Sequence, residues 1–206
     1  METVGNAMLE WGLASLALAP ELESGDLHVV RSFADGSLVA VVDGLGHGPE
    51  AAAAARRCAT LLVQHAERPL EQLVTRCHEG LRGTRGVSLA AASFDAKGST
   101  MSWLGVGNVS AILVPAARDH ALRRCEFMLQ RNGVVGLRLP NLIASTLPVQ
   151  TGDTLILATD GIRQDFSMDV NPADRPQQLA DRVLARHIKT TDDALVLVVR
   201  YRGSAP

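Results

Sequence analysis

The sequence predicts an α+β domain in which two helices cover one antiparallel sheet and a third covers another. Two observations lead there. Short apolar or alternating runs bounded by Gly, Asn, Asp and Pro outnumber the helical segments. The helical segments come as one adjacent pair and one late single, without the regular strand–helix alternation that a parallel α/β sheet requires. The length of 206 residues, with 47% hydrophobic and 20% charged, suits one domain over 1–206 with a full core.

Taken in order, Trp11–Ala19 and Asp26–Phe33 read as strands separated by the turn-forming Pro20-Glu-Leu-Glu-Ser-Gly25. Ser37–Asp43 follows after Ala34-Asp-Gly36, and the three together look like the start of an antiparallel meander. From Pro49, a run of five alanines continues through Leu61, Leu62 and Val63 with neither Gly nor Pro before Pro69, which is strong helix propensity. A second helix covers Leu70–Leu81. Ser88–Phe94, Thr100–Val106, Ser110–Val114, Leu142–Val149 and Thr154–Thr159 are further strands. A last helix over Pro176–His187 and a β-branched strand over Ala194–Tyr201 complete the chain.

Composition narrows the function classes. With 20 Lys and Arg against 22 Asp and Glu, the net charge of −2 offers no long-range attraction for nucleic acid or for an anionic membrane. Cys58, Cys77 and Cys125 are an odd set without Cys-x-x-Cys spacing, which speaks against a disulfide framework and a zinc cluster and suits a reducing cytoplasm. The apolar stretch Met8–Ala19 lacks the positive flank of a signal peptide, since the first basic residue is Arg31. No run reaches the ~18–20 apolar residues that a membrane helix needs. A soluble cytoplasmic protein is expected.

The informative feature is a set of aspartates placed where apolar strands stop. Leu38-Val-Ala-Val-Val-Asp43-Gly44 and Leu155-Ile-Leu-Ala-Thr-Asp160-Gly161 share one design: core residues, a carboxylate, then a glycine. Asp192-Asp193 precedes the last strand, and Ser24-Gly25-Asp26 precedes an early one. Asp-Gly is ordinary turn chemistry, and Asp35-Gly36 is read that way. Acid at the ends of four strands is different, because recessed carboxylates are costly unless paired or bound to a cation, and no run of Lys or Arg sits beside them in the sequence. Convergent carboxylates with a backbone carbonyl make a hard oxygen site, suited to a pair of Mg²⁺ or Mn²⁺ ions.

Other phosphate-handling motifs fail. Gly44-Leu-Gly-His-Gly-Pro49 puts Pro where a dinucleotide fingerprint needs Gly or Ala, and Asp43 would repel a pyrophosphate. There is no Gly-Lys-Ser/Thr, and Leu45 stands where a nucleophilic Asp-x-Asp pair needs its second carboxylate.

Asp43-Gly-Leu-Gly-His-Gly48, Gly105-Val-Gly-Asn-Val109, Leu157-Ala-Thr-Asp-Gly161 and Asp192-Asp-Ala-Leu-Val resemble, in order and spacing, the signature blocks of the metal-dependent (PPM-type) serine/threonine protein phosphatases. The bacterial branch with SpoIIE-type catalytic domains is the nearest fit. Within it, Ser24-Gly-Asp26 and Arg85-Gly86 are most similar to the stand-alone stressosome phosphatases of the RsbX type. The similarity runs from about Asp26 to Arg200.

The resemblance implies a β-sandwich of two antiparallel sheets flanked by helices, with two metals at one end. It implies that Asp43 bridges both ions, that the Gly44 carbonyl binds one, and that Asp160 and Asp192 hold the second. Asp26 would orient water and Asp193 would sit behind the ligands. The implied reaction is attack of a metal-activated water on phosphoserine or phosphothreonine. Phosphorylated STAS-domain proteins, such as stressosome scaffolds, are the implied substrates.

The chain also departs from the pattern. Leu45 replaces the His that follows Asp-Gly in many members, leaving His47 as the candidate general acid, or as a turn residue or phosphate contact. Asn108 stands where larger relatives often carry an Asp for a third metal. Arg85 and Arg82 are the candidates for gripping phosphate. Two other readings remain: an RsbU-like enzyme acting on a phosphorylated anti-anti-sigma factor, and an inactive module that binds a phosphoprotein.

Overall fold

The computed structural model describes residues 8–18, 23–116 and 124–203. Ala19 and the Pro20–Leu22 part of the expected turn lie outside the described residues. Eleven named strands form two mostly antiparallel sheets. The first contains β1 (Leu9–Leu16), β11 (Ala194–Tyr201), β10 (Thr154–Ala158), β6 (Ser110–Val114) and β7 (Glu126–Phe127), in that spatial order. The second contains β2 (Asp26–Phe33), β3 (Gly36–Gly44), β4 (Val87–Asp95), β5 (Thr100–Val106) and β8 (Gln130–Arg131), with β9 (Ser145–Pro148) also on β5. α1 (Pro49–Gln64) and α2 (Leu70–Gly80) cover the second sheet, and α3 (Pro176–His187) covers the first. This is the expected sandwich with helices outside both sheets.

Strict alternation builds the layers. Val39 and Val41 of β3 face the inter-sheet core with Leu155, Leu157, Leu195 and Leu197. Leu38, Ala40 and Val42 face outward onto Cys58, Leu62, Leu73 and Val74 of α1 and α2. On the other side, Ile156, Val196 and Val198 meet Leu179, Ala180 and Val183 of α3. Both faces of the central strands are covered, which is why they read as unbroken apolar runs.

One expected pairing is overturned. The meander holds for β2, β3, β4 and β5, but β1 leaves it and pairs antiparallel with β11, from Leu9 opposite Tyr201 to Leu16 opposite Ala194. Sequence adjacency favours a hairpin, yet packing decides otherwise: a Cβ on Gly12 would overlap the backbone of α3 at Gln177. The Gln177 side chain then occupies the open backbone of β1, accepting from Leu13 N (3.1 Å) and donating to Leu13 O (2.8 Å). That satisfies and protects a sheet edge. The strand expected over Leu142–Val149 shortens to β9, and a 3₁₀ helix over Gln164–Asp169 was not anticipated. Among the described residues no helix is long and apolar enough to cross a membrane.

Candidate active site

The ends of β2, β3, β10 and β11 that carry aspartate meet at one end of the sandwich. β2 and β3 place Asp26 directly opposite Asp43, an arrangement of like charges that disfavours pairing unless something offsets it. Asp26 is 6% exposed and Asp43 is half-buried. Burial, then Asp26, Asp160, Asp192 and Asp193, push the Asp43 carboxyl up to about 8. Burial drives Asp26 up to about 7 with Asp193, Asp160 and Asp192 adding to it, while the Thr159 hydroxyl, donating to Asp26 Oδ2 at 2.7 Å, pulls the other way. Asp160 is raised by burial and by Asp192, and lowered by Lys189 and by Asn108 Nδ2, which donates to Asp160 Oδ2 at 2.6 Å. Four strand ends thus form one electrostatic unit.

Local chemistry explains how the turns approach so closely. Gly44 N donates to Gly25 O (3.0 Å) and Leu45 N to Gly86 O (3.1 Å), fixing the loop after β3. A Cβ on Gly44 would overlap the Ala51 carbonyl in the first turn of α1. Gly46 and Gly48 have φ of +83° and +82°, which side chains rarely adopt, and Pro49 then starts α1 with its φ already helical. Gly161 is equally constrained, since a Cβ there would overlap the Asp193 carbonyl.

The expected site residues separate by their surroundings. The Asp43 carboxylate accepts no hydrogen bond and meets no basic side chain among the described residues. Asp192 Oδ1 accepts from Asp193 N at 2.9 Å. Asp193, 7% exposed, is occupied on both oxygens, accepting from Leu18 N (2.8 Å) and Gly25 N (2.7 Å) and tying the end of β1 to the start of β2. Arg85 lies against the loop, its Nη1 2.8 Å from where a Cβ on Gly46 would stand, while its Nε donates to Glu50 Oε2 at 2.6 Å. His47 is exposed on the same loop with no hydrogen bond among the described residues.

One neighbour escaped the sequence reading. Lys189 Nζ donates to the backbone carbonyl of Asp160 at 2.6 Å, which brings an ammonium to the acidic end although no run of Lys or Arg lies beside it in the sequence. Its sequence signal was slight: it is one of only two lysines in the chain, 29 residues from its partner.

The donor set is all oxygen, acidic and short of cationic partners, which suits a hard divalent cation. Among the described residues no three His, Cys, Asp or Glu side chains stand close enough to enclose a metal by themselves.

Comparison with curated protein sequences gives no match. Solved structures do match. A protein solved in work on the bacterial stressosome as a modular system adapted to control secondary messenger signalling is 28% identical, with 93% of this chain and 99% of that one covered and a TM-score of 0.83. RsbX in complex with magnesium is 19% identical, covering 95% and 96%, with a TM-score of 0.82. The PP2C phosphatase domain of SpoIIE from Bacillus subtilis, solved with part of its regulatory domain, is 21% identical, covering 96% and 64%, with a TM-score of 0.79. The family model for Stage II sporulation protein E matches residues 34–202. The chain therefore belongs to the SpoIIE family and has the fold of the PP2C-type, metal-dependent protein phosphatases.

Proposed function

We propose that the chain is a cytoplasmic, Mn²⁺- or Mg²⁺-dependent phosphoserine/phosphothreonine protein phosphatase whose substrates are phosphorylated STAS-domain proteins, either stressosome scaffolds or an anti-sigma antagonist. The observation that carries the chemistry is the convergence of Asp26, Asp43, Asp160 and Asp192 at one end of the sandwich, where burial first and neighbouring carboxylates second raise Asp26, Asp43 and Asp160, with the Lys189 ammonium nearby. The 28% identity to a stressosome-related structure and the similarity to RsbX support the substrate class.

Asp43 and the Gly44 carbonyl would hold one ion, and Asp160 and Asp192, joined by Asp43 once the carboxylates draw closer than they stand here, the second. When bound, the ions supply the positive charge that acidifies water and neutralises phosphoryl oxygens. The chain's own groups do the rest. Thr159 holds Asp26 Oδ2, leaving Oδ1 to accept a proton from water. Asn108 and Lys189 orient the Asp160 segment, and Asp193 braces the loop before Asp26. Arg85, anchored by Glu50 beside Gly46, is the candidate contact for the substrate phosphate. His47 is free to hand a proton to the departing serine or threonine oxygen.

The test is hydrolysis of an aryl phosphate, and then of a phosphorylated STAS domain, with Mn²⁺ in the presence and absence of chelator. Activity that depends on the ion and disappears in Asp43→Asn is expected. Turnover that survives chelation refutes the metal chemistry. Turnover of the aryl ester with no release of phosphate from any phosphorylated STAS domain refutes the substrate.

A further inference from the structure

Asp160 and Asp192 lie beyond the ladder that joins β10 to β11, which runs from Thr154 opposite Arg200 to Ala158 opposite Val196. Their separation is set by two connections: residues 159–163 leaving β10, and residues 188–193 entering β11. These run side by side. Lys189 N donates to Gly161 O (2.7 Å), Ile162 and Ile188 form an antiparallel bridge, and Arg163 N donates to His187 O (2.8 Å). Arg163 Nη2 adds a bond to Arg186 O at 2.7 Å.

At the base of this seam sits His187, the last residue of α3 and only 5% exposed. Both ring nitrogens are engaged by the 3₁₀ helix that follows the Asp160 connection: Nδ1 is 2.9 Å from Asp165 Oδ1, and Nε2 is 2.9 Å from Asp169 Oδ2. The Arg163 and Arg186 guanidiniums flank the same two carboxylates, at 3.4 Å from Asp165 Oδ1 and 3.5 Å from Asp169 Oδ2. A buried imidazole held on both sides by charge-assisted bonds is a rigid anchor, because its rotamer and ring plane are both fixed. It joins the element before Asp192 to the element after Asp160, and touches neither carboxylate.

We propose that His187, gripped by Asp165 and Asp169, is a positioning residue that sets the spacing of Asp160 and Asp192 and so the affinity of the acidic end for a divalent cation. The inference rests on the metal reading above. Groups that orient metal ligands without touching the ion commonly change affinity by ~10–100-fold, and this anchor acts one step further back, so about tenfold is expected.

The experiment is calorimetric titration of Mn²⁺ into wild type, His187→Gln and the double variant Asp165→Asn/Asp169→Asn, with hydrogen exchange at residues 160–163 and 188–192. The double variant alters exposed carboxylates and keeps the test available if His187→Gln fails to fold. Both variants should bind Mn²⁺ about tenfold more weakly and exchange faster along the seam, with kcat largely restored at saturating Mn²⁺. Leu73→Ala, which opens the core under α2, should lower the melting temperature without changing Mn²⁺ affinity. Variants that bind Mn²⁺ as tightly as a metal-binding wild type overturn this inference alone. A wild type that binds no divalent cation overturns the metal reading and this inference with it.

Discussion

Asp43→Asn should destroy turnover and at the same time stabilise the metal-free protein. Burial and neighbouring carboxylates push Asp43 from 3.8 up to about 8, so the folded chain holds that proton more tightly than the unfolded chain between those two values. Stability of the metal-free wild type is therefore fully present below about pH 4 and is lost as pH rises through about 8. Carried by one isolated group, a rise of this size corresponds to roughly 6 kcal/mol. Much of the repulsion is shared with Asp26, and water reaches part of the carboxylate, so a single neutralisation recovers about 2 kcal/mol. An amide at this position also has an N–H to offer to Asp26 across the β2–β3 pair. For a domain of this length that corresponds to a melting temperature ~4–8 °C higher. Thermal unfolding in chelator, followed by circular dichroism from about pH 4 to about pH 9, reads the difference between the two proteins, which should be near zero at the acid end and grow upward. Added Mn²⁺ should raise the wild type and barely move the variant. A variant no more stable than wild type at the alkaline end would refute the account of Asp43 as an uncompensated carboxylate.

Three further outcomes follow from the geometry. Thr159→Val removes the hydroxyl that donates to Asp26 and accepts from Leu195 N at 2.9 Å, and should cost about 1–3 kcal/mol in urea unfolding. Gly161→Ala forces a Cβ into the Asp193 carbonyl; the cost should be about 1–3 kcal/mol with loss of Mn²⁺ affinity, since Asp160 must move with it. His47→Ala sits on an exposed loop and should leave stability within about 0.5 kcal/mol. It should slow hydrolysis of a phosphoserine peptide by about 10²-fold while sparing an aryl phosphate, whose leaving group needs no proton. Equal effects on both esters would remove His47 from acid catalysis.

The sequence made the chemistry more legible than the topology. Asp43-Gly44 and Asp160-Gly161 were visible because each closes a run buried on both faces, and because glycine is the only residue that fits against the Ala51 and Asp193 carbonyls. The partnership of β1 with β11 left no local trace, since a strand's alternation records which face is buried and not which strand lies beside it. Asp193 looked like Asp192 in the sequence, yet its two oxygens are spent on the amides of Leu18 and Gly25, contacts fixed only once three strands have met. Lys189 and His187 were invisible for the same reason. Their partners lie in the turn after β10 and in a short 3₁₀ helix, segments too brief for any periodicity to announce a side chain's direction.

The pairing of Leu9–Leu16 with Ala194–Tyr201 also bears on when the protein acquires its activity during synthesis. The β2–β5 meander and its two helices are assembled from near neighbours in the chain and are complete once residue 106 has left the ribosome, whereas the opposing sheet waits for β11, the last of the described strands. Until then the N-terminal strand has no mate and half the acidic cluster does not exist. Without Ala194–Tyr201 the inner faces of β3 and β4 would lack Leu195 and Leu197 and the acidic end would lack a fixed Asp192, so the site exists only when both sheets do.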